Sequence, residues 1–98
     1  MRKFTIMVDE LKNSARPDLP PTYMIALAPS NRSSGAMATK QYASQENFVL
    51  DLHLRLRYTR GAVERFFASD DRHQVLLNYP LSEEDAFYLG WLPEFNVE

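Results

Sequence analysis

Between residues 2 and 8, Phe4, Ile6 and Val8 alternate with Lys3, Thr5 and Met7. A period of two puts each set on its own face of an extended chain, so the pattern predicts a strand with one drier side. Pro17, Pro20 and Pro21 break any regular element between about 9 and 21, which makes that stretch a loop or extended connection. TYMIALA at 22–28 is a nearly continuous apolar run with Pro29 behind it, and its short length fits a buried strand. PSNRSSG at 29–35 is turn chemistry, and AMATKQY at 36–42 is a weaker strand, so 22–42 reads as a hairpin with a long loop.

The segment FVLDLHLRLRY at 48–58 carries two signals. Phe48, Leu50, Leu52, Leu54, Leu56 and Tyr58 occupy every even position, which is a strand's alternation. Leucine and arginine, however, are good helix formers, and Val49 is the only β-branched residue in the run. Ser44 supplies an N-cap and Glu46 a favourable charge in the first turn, while Asp51 and Arg55 have the spacing of a helical ion pair with the acid first. These features predict a helix over 45–57. On that helix Phe48, Val49, Leu52 and Leu56 share an arc of about 100°. Leu50 and Leu54 fall on the opposite side, where a second element or another subunit would have to cover them.

Further along, Thr59 caps a short helix, GAVERFFAS, with Tyr58 and Val63 placed for a hydrophobic staple. HQVLLNY at 73–79 reads as a fourth strand ending at Pro80. Ser82 with Glu83, Glu84 and Asp85 opens an acidic helix start, and Gly90 sits at its C-terminal stop. Trp91, Leu92 and Phe95 then form an apolar tail in need of a docking place. The order strand, strand, strand, helix, helix, strand, helix predicts a small two-layer α+β fold. It has an antiparallel sheet of three to four strands, the first three as a meander, with about three helices packed on one face.

Composition narrows the class. At 98 residues the chain has the size of one domain, 1–98, and its 45% apolar content, with six Phe, five Tyr and one Trp, suffices for a core. There is no cysteine, hence no disulfide framework, thiolate nucleophile or cysteine-ligated zinc. No run is long enough for a signal-peptide core or a membrane span, so the expected compartment is the cytoplasm and no membrane partner is expected. The net charge of −2 is split unevenly: residues 1–43 are basic and residues 70–98 acidic. The simplest consequence is self-complementation within the fold.

Candidate chemistry is sparse. Asn31, Arg32, Ser33, Ser34 and Gly35, with Lys40, form an anion-binding candidate through backbone amides and hydroxyls, without a Walker spacing. Arg55, Arg57, Arg60 and Arg65, interleaved with Tyr58, Phe66 and Phe67, are the nucleic-acid candidate, set against an acidic pI of about 5.6. His53 and His73, the only histidines, are the candidates for a small hydrolase or nuclease, and their spacing does not make a metal site. No cofactor and no metal are expected. The reading that uses most of these observations is a non-catalytic binding or protein-interaction module, with a protein partner or a second copy of itself. Its interface candidates are Leu50, Leu54, Trp91 and Phe95.

Overall fold

The computed structural model describes residues 2–29 and 37–92. Four strands, β1 (Arg2–Leu11), β2 (Thr22–Pro29), β3 (Ala38–Tyr42) and β4 (His73–Leu81), form one antiparallel sheet in the order β3-β2-β1-β4. The first three strands are the expected meander, and β4 returns to lie beside β1. Three helices, α1 (Gln45–Leu54), α2 (Arg60–Ala68) and α3 (Glu83–Tyr88), make the second layer of an α+β fold.

Register decides which face the helices cover. Phe4, Ile6 and Val8 of β1 stand opposite Pro29, Leu27 and Ile25 of β2. This set is buried and merges with Phe48, Leu52 and Leu56 of the α1 segment, Val63 and Phe66 of α2, and Ala86 and Leu89 of the α3 segment in one core. Phe48 holds its middle, stacked on Tyr23 at 4.7 Å and edge-on to Tyr42 at 5.7 Å. Among the described residues the opposite sheet face has no helical layer. Val75, Met7, Ala26 and Thr39 run across it, one from each strand.

The helix starts follow local cap chemistry. Ser44, Thr59 and Ser82 each accept a hydrogen bond from the backbone amide of the third residue on: Asn47, Ala62 and Asp85. Helix α1 stops at Leu54, three residues short of the expected 57. Arg57 takes a left-handed conformation, with φ of 59°, and the Tyr58 amide turns back to donate to the Leu52 carbonyl at 2.9 Å. Leu56 remains on the buried arc as expected, carried there by the turn rather than the helix.

The strands run longer than the alternation suggested, β1 to Leu11 and β4 through Pro80 to Leu81. An edge strand tolerates a proline because its outward amides need no partner. Near Asn78, at φ of 53°, β4 carries an extra residue: Phe4 opposes Tyr79 while Ile6 opposes Leu76.

The end of α3 corrects the expectation for Trp91. Gly90, at φ of 102°, donates to the Phe87 carbonyl at 3.0 Å, and the Trp91 amide donates to the Ala86 carbonyl at 2.9 Å. This is a Schellman turn, and it swings the chain back onto the sheet. Trp91 is fully buried, edge-on to Phe4 at 5.5 Å and stacked on Phe87 at 5.7 Å. It belongs to the core and contributes nothing to an exposed interface. The oppositely charged chain ends do meet, through Arg2 and Glu83 at 2.9 Å.

Candidate functional site

Where β3, α1 and α3 converge, the fold gathers a set of polar side chains that lie far apart in sequence. Asp51, on the inner arc of α1, is buried, and the Tyr42 hydroxyl of β3 donates to its carboxylate at 2.5 Å. Burial and then the adjoining carboxylate push the Tyr42 hydroxyl well above the ordinary tyrosine range, so it stays protonated and remains a donor. Asp85, also buried, accepts from Arg55 at 2.9 Å. The Arg55 guanidinium lies 3.8 Å from the Tyr88 ring centre and the Lys40 ammonium 4.8 Å from it. Lys40 also sits 5.5 Å from the Tyr42 ring. A cleft of about 390 Å³ opens between Lys40, Tyr42, Asp51 and Tyr88 and is bordered by Leu50.

The chemistry of this cleft is that of a clamp. Each buried carboxylate is matched to an internal donor, and both cations rest on aromatic faces, an arrangement that stabilises charge without leaving a reactive group. Among the described residues no nucleophile–base pair stands in it. Asp51 and Arg55 do not form the helical ion pair their spacing suggested. Asp51 faces inward to Tyr42, whereas Arg55, at the C-cap, reaches across to α3.

The four arginines of the nucleic-acid candidate therefore do not act as one patch. Arg55 is held by Asp85 and Tyr88, and Arg60 pairs with Glu64 at 3.3 Å. Arg57 and Arg65 are exposed and line a groove of about 480 Å³ between the start of α2 and β4, together with Tyr58, Gln74, Leu76 and Tyr79. The Tyr58 hydroxyl donates to Gln74 at 2.6 Å, and burial raises its pKa to about 12. Tyr79 donates to the Leu56 carbonyl, which pins the turn after α1 to the sheet.

The two histidines have structural partners. His53 Nδ1 lies 2.7 Å from the Tyr58 carbonyl, which can only accept, so this nitrogen carries the proton and holds the same turn. His73 Nδ1 pairs with Asp9 across β1 and β4. Among the described residues no group of three or more His, Cys, Asp or Glu side chains is placed to hold a metal ion. Nor is any helix among them long and apolar enough to cross a membrane.

Leu50 and Leu54 are exposed, at 52% and 59%. Beside Leu50 the outer surface of α1 has a depression of about 400 Å³ lined by Gln45, Glu46, Val49 and His53. Of the remaining candidates, Asn31, Arg32, Ser33, Ser34, Gly35 and Phe95 lie outside the described residues, while Lys40 belongs to the clamp. The sequence reading missed Tyr42, Asp85 and Tyr88 as site residues. Only Asp51 and Arg55, charged residues on or beside a mostly apolar helix, gave a local signal. Comparison of the chain with known protein families, curated proteins and solved structures finds no match.

Proposed function

We propose that this protein is a non-catalytic interaction domain that pairs with a second copy of itself through the outer face of α1. The observation that carries the reading is the exposure of Leu50 and Leu54 on a helix whose inner arc already completes the core. Two copies related by a two-fold axis near Leu50 would set their α1 helices antiparallel. Leu54 of each would then enter the depression beside Leu50 of the other, with Glu46 brought near His53 of the other copy. Antiparallel helices also align their dipoles favourably.

Magnitudes allow at most a weak dimer. Fully burying a leucine contributes about 1.5–3 kcal/mol, so four half-exposed leucines contribute roughly 3–6 kcal/mol. Association costs about 4–15 kcal/mol. The leucines alone do not offset that cost, so pairing needs further contact, for which Lys40 and Tyr88 stand beside Leu50 at the border of the cleft, and it depends strongly on concentration. Light scattering and sedimentation across a concentration series test it. The parent protein should move from monomer to dimer, and Leu54→Asp should remain a folded monomer by circular dichroism. A parent that stays monomeric at high concentration, or a Leu54→Asp variant that associates like the parent, rules the reading out. So does a Leu54→Asp variant that unfolds, because the leucine would then serve an internal core.

A further inference from the structure

We infer that the free edge of β4 is a strand-addition site for an extended acidic segment of another protein, read by Arg57 and Arg65. β4 is the last strand of the sheet. The Glu10 amide donates to the Arg72 carbonyl at 3.1 Å, which sets the phase of the β1–β4 ladder. In an antiparallel pair the hydrogen-bonded positions recur every second residue, so Gln74 and Leu76 bond to β1, while His73 and Val75 turn their N–H and C=O groups outward. An edge of this kind is a template for another strand unless a charge or a bulge blocks it. On β4 the block comes late, at the left-handed Asn78 and at Pro80. The stretch His73–Leu76 is left as the usable edge.

The two sides of an added strand would meet different surroundings. On the helix side it would run along the groove of about 480 Å³ bordered by Arg57 and Arg65, neither of which forms an ion pair among the described residues. On the other side it would lie beside Val75 and Leu77, which are 48% and 73% exposed. Side chains alternate along a strand. The segment that fits therefore alternates acidic with apolar residues, carboxylates toward the arginines and apolar groups toward Val75. Main-chain hydrogen bonds supply the docking and the two arginines the selection, the division of labour of strand-addition recognition. Because α1's outer face takes no part, this site is independent of the proposed pairing of two copies.

The test uses the full chain and a short fluorescent peptide of alternating glutamate and valine, followed by anisotropy at low salt. Three other probes are compared with it: the lysine–valine peptide, the glutamate–valine peptide with a central proline, and a single-stranded oligonucleotide. The expected result is that the acidic peptide binds and the lysine peptide binds at least about tenfold more weakly. The proline-interrupted peptide should lose binding because it cannot complete the ladder. Bound acidic peptide should slow amide exchange at His73 and Val75. In the Arg57→Glu, Arg65→Glu variant, folded by circular dichroism, the preference should reverse toward the lysine peptide; Arg65→Glu alone, on the helix surface, should weaken acidic-peptide binding. Leu54→Asp should bind the acidic peptide as the parent does. Any of these results would overturn the inference: no binding of the acidic peptide, equal binding of the two charge types, or equal binding of the proline peptide. Tighter binding of the oligonucleotide, or loss of acidic-peptide binding in Leu54→Asp, would overturn it as well.

Discussion

Replacing Tyr42 by phenylalanine removes one hydrogen-bond donor, the hydroxyl, from the clamp and almost nothing else. Tyr42 is 6% exposed and Asp51 4%, so water does not readily replace the lost hydroxyl. The ring and its edge contact with Phe48 remain, so no cavity opens. What is lost is a short hydrogen bond to a buried carboxylate, and bonds to charged groups contribute about 1.5–3 kcal/mol. A domain of this size loses about 4–8 °C in melting temperature per kcal/mol, so a loss of about 2 kcal/mol lowers it by roughly 8–16 °C. Urea denaturation followed by the fluorescence of Trp91, the only tryptophan, measures the same quantity at fixed temperature. A second step isolates the cause. Asp51→Leu added to Tyr42→Phe removes the orphaned charge and should restore most of the stability, since an apolar pair of similar size carries no desolvation penalty. A loss below about 0.5 kcal/mol for Tyr42→Phe would refute the reasoning, because surface substitutions already vary by that much. Asp51 would then be solvated through the cleft, and the β3–α1 tie would not be a tie.

Gly90→Ala should destabilise by about 1–2 kcal/mol, because an L residue is strained at its left-handed φ even though its new methyl meets Ala38 only at ordinary van der Waals contact, 3.8 Å; a neutral effect on the urea midpoint would show that the Schellman turn does not fix Trp91's seat. The Asp9 carboxylate beside His73 raises the imidazole's pKa above its ordinary 6.5. A folded-state pKa above the unfolded one means the pair contributes fully below about 6.5 and is lost as pH rises through the raised value. Stability should therefore fall slightly above about pH 6.5, only slightly because the His73 side chain is 47% exposed, and Asp9→Asn should flatten that slope. An unchanged slope in Asp9→Asn, measured by urea midpoints across pH with the His73 titration followed by NMR, would refute it.

What was legible in the sequence was what local chemistry controls. Ser44, Thr59 and Ser82 could be read as caps because a cap bonds an amide only a few residues away, and propensity outweighed alternation at 48–54 for the same reason. The placement of Leu50 and Leu54 opposite the core-facing arc followed from helical geometry alone, whereas their exposure among the described residues did not. The failures share the opposite property. Tyr42 with Asp51, Arg55 with Asp85, and Phe4 with Trp91 are brought together only by the packing of helices on the sheet. The local rule even pointed the wrong way for Asp51 and Arg55, where a helical pair worth a few tenths of a kcal/mol yields to buried partners. β2 is the buried strand that its apolar run predicts, for a reason the helices supply only in part. Its unbroken apolar run fits a strand buried on both sides, yet only the side with Tyr23, Ile25 and Leu27 meets helices. Ala26 is covered without them, a small side chain set low between Met7 and Thr39 of the neighbouring strands.

The two edges of the sheet are treated differently, and the difference bears on where partners bind. β3 is five residues long, and Lys40 at its centre turns toward the helix side, its ammonium resting between Tyr42 and Tyr88. A charged residue pointing inward on a short strand is one of the ways proteins stop an edge from pairing with another chain. A strand added there would have to bury that ammonium or displace it from both rings. β4 is nine residues long, and between His73 and Leu77 it has no lysine, arginine or acid of its own. Arg57 and Arg65 border the groove on its helix side, and Asp9 pairs with His73 where the strand begins. An edge left open for lack of selection would be expected to aggregate, whereas the proposed site would admit only a chain that brings carboxylates. The bulge at Asn78 and the proline at 80 then limit how long that chain can be. On β3 charge closes the edge; on β4, in the reading proposed above, it would choose what may enter.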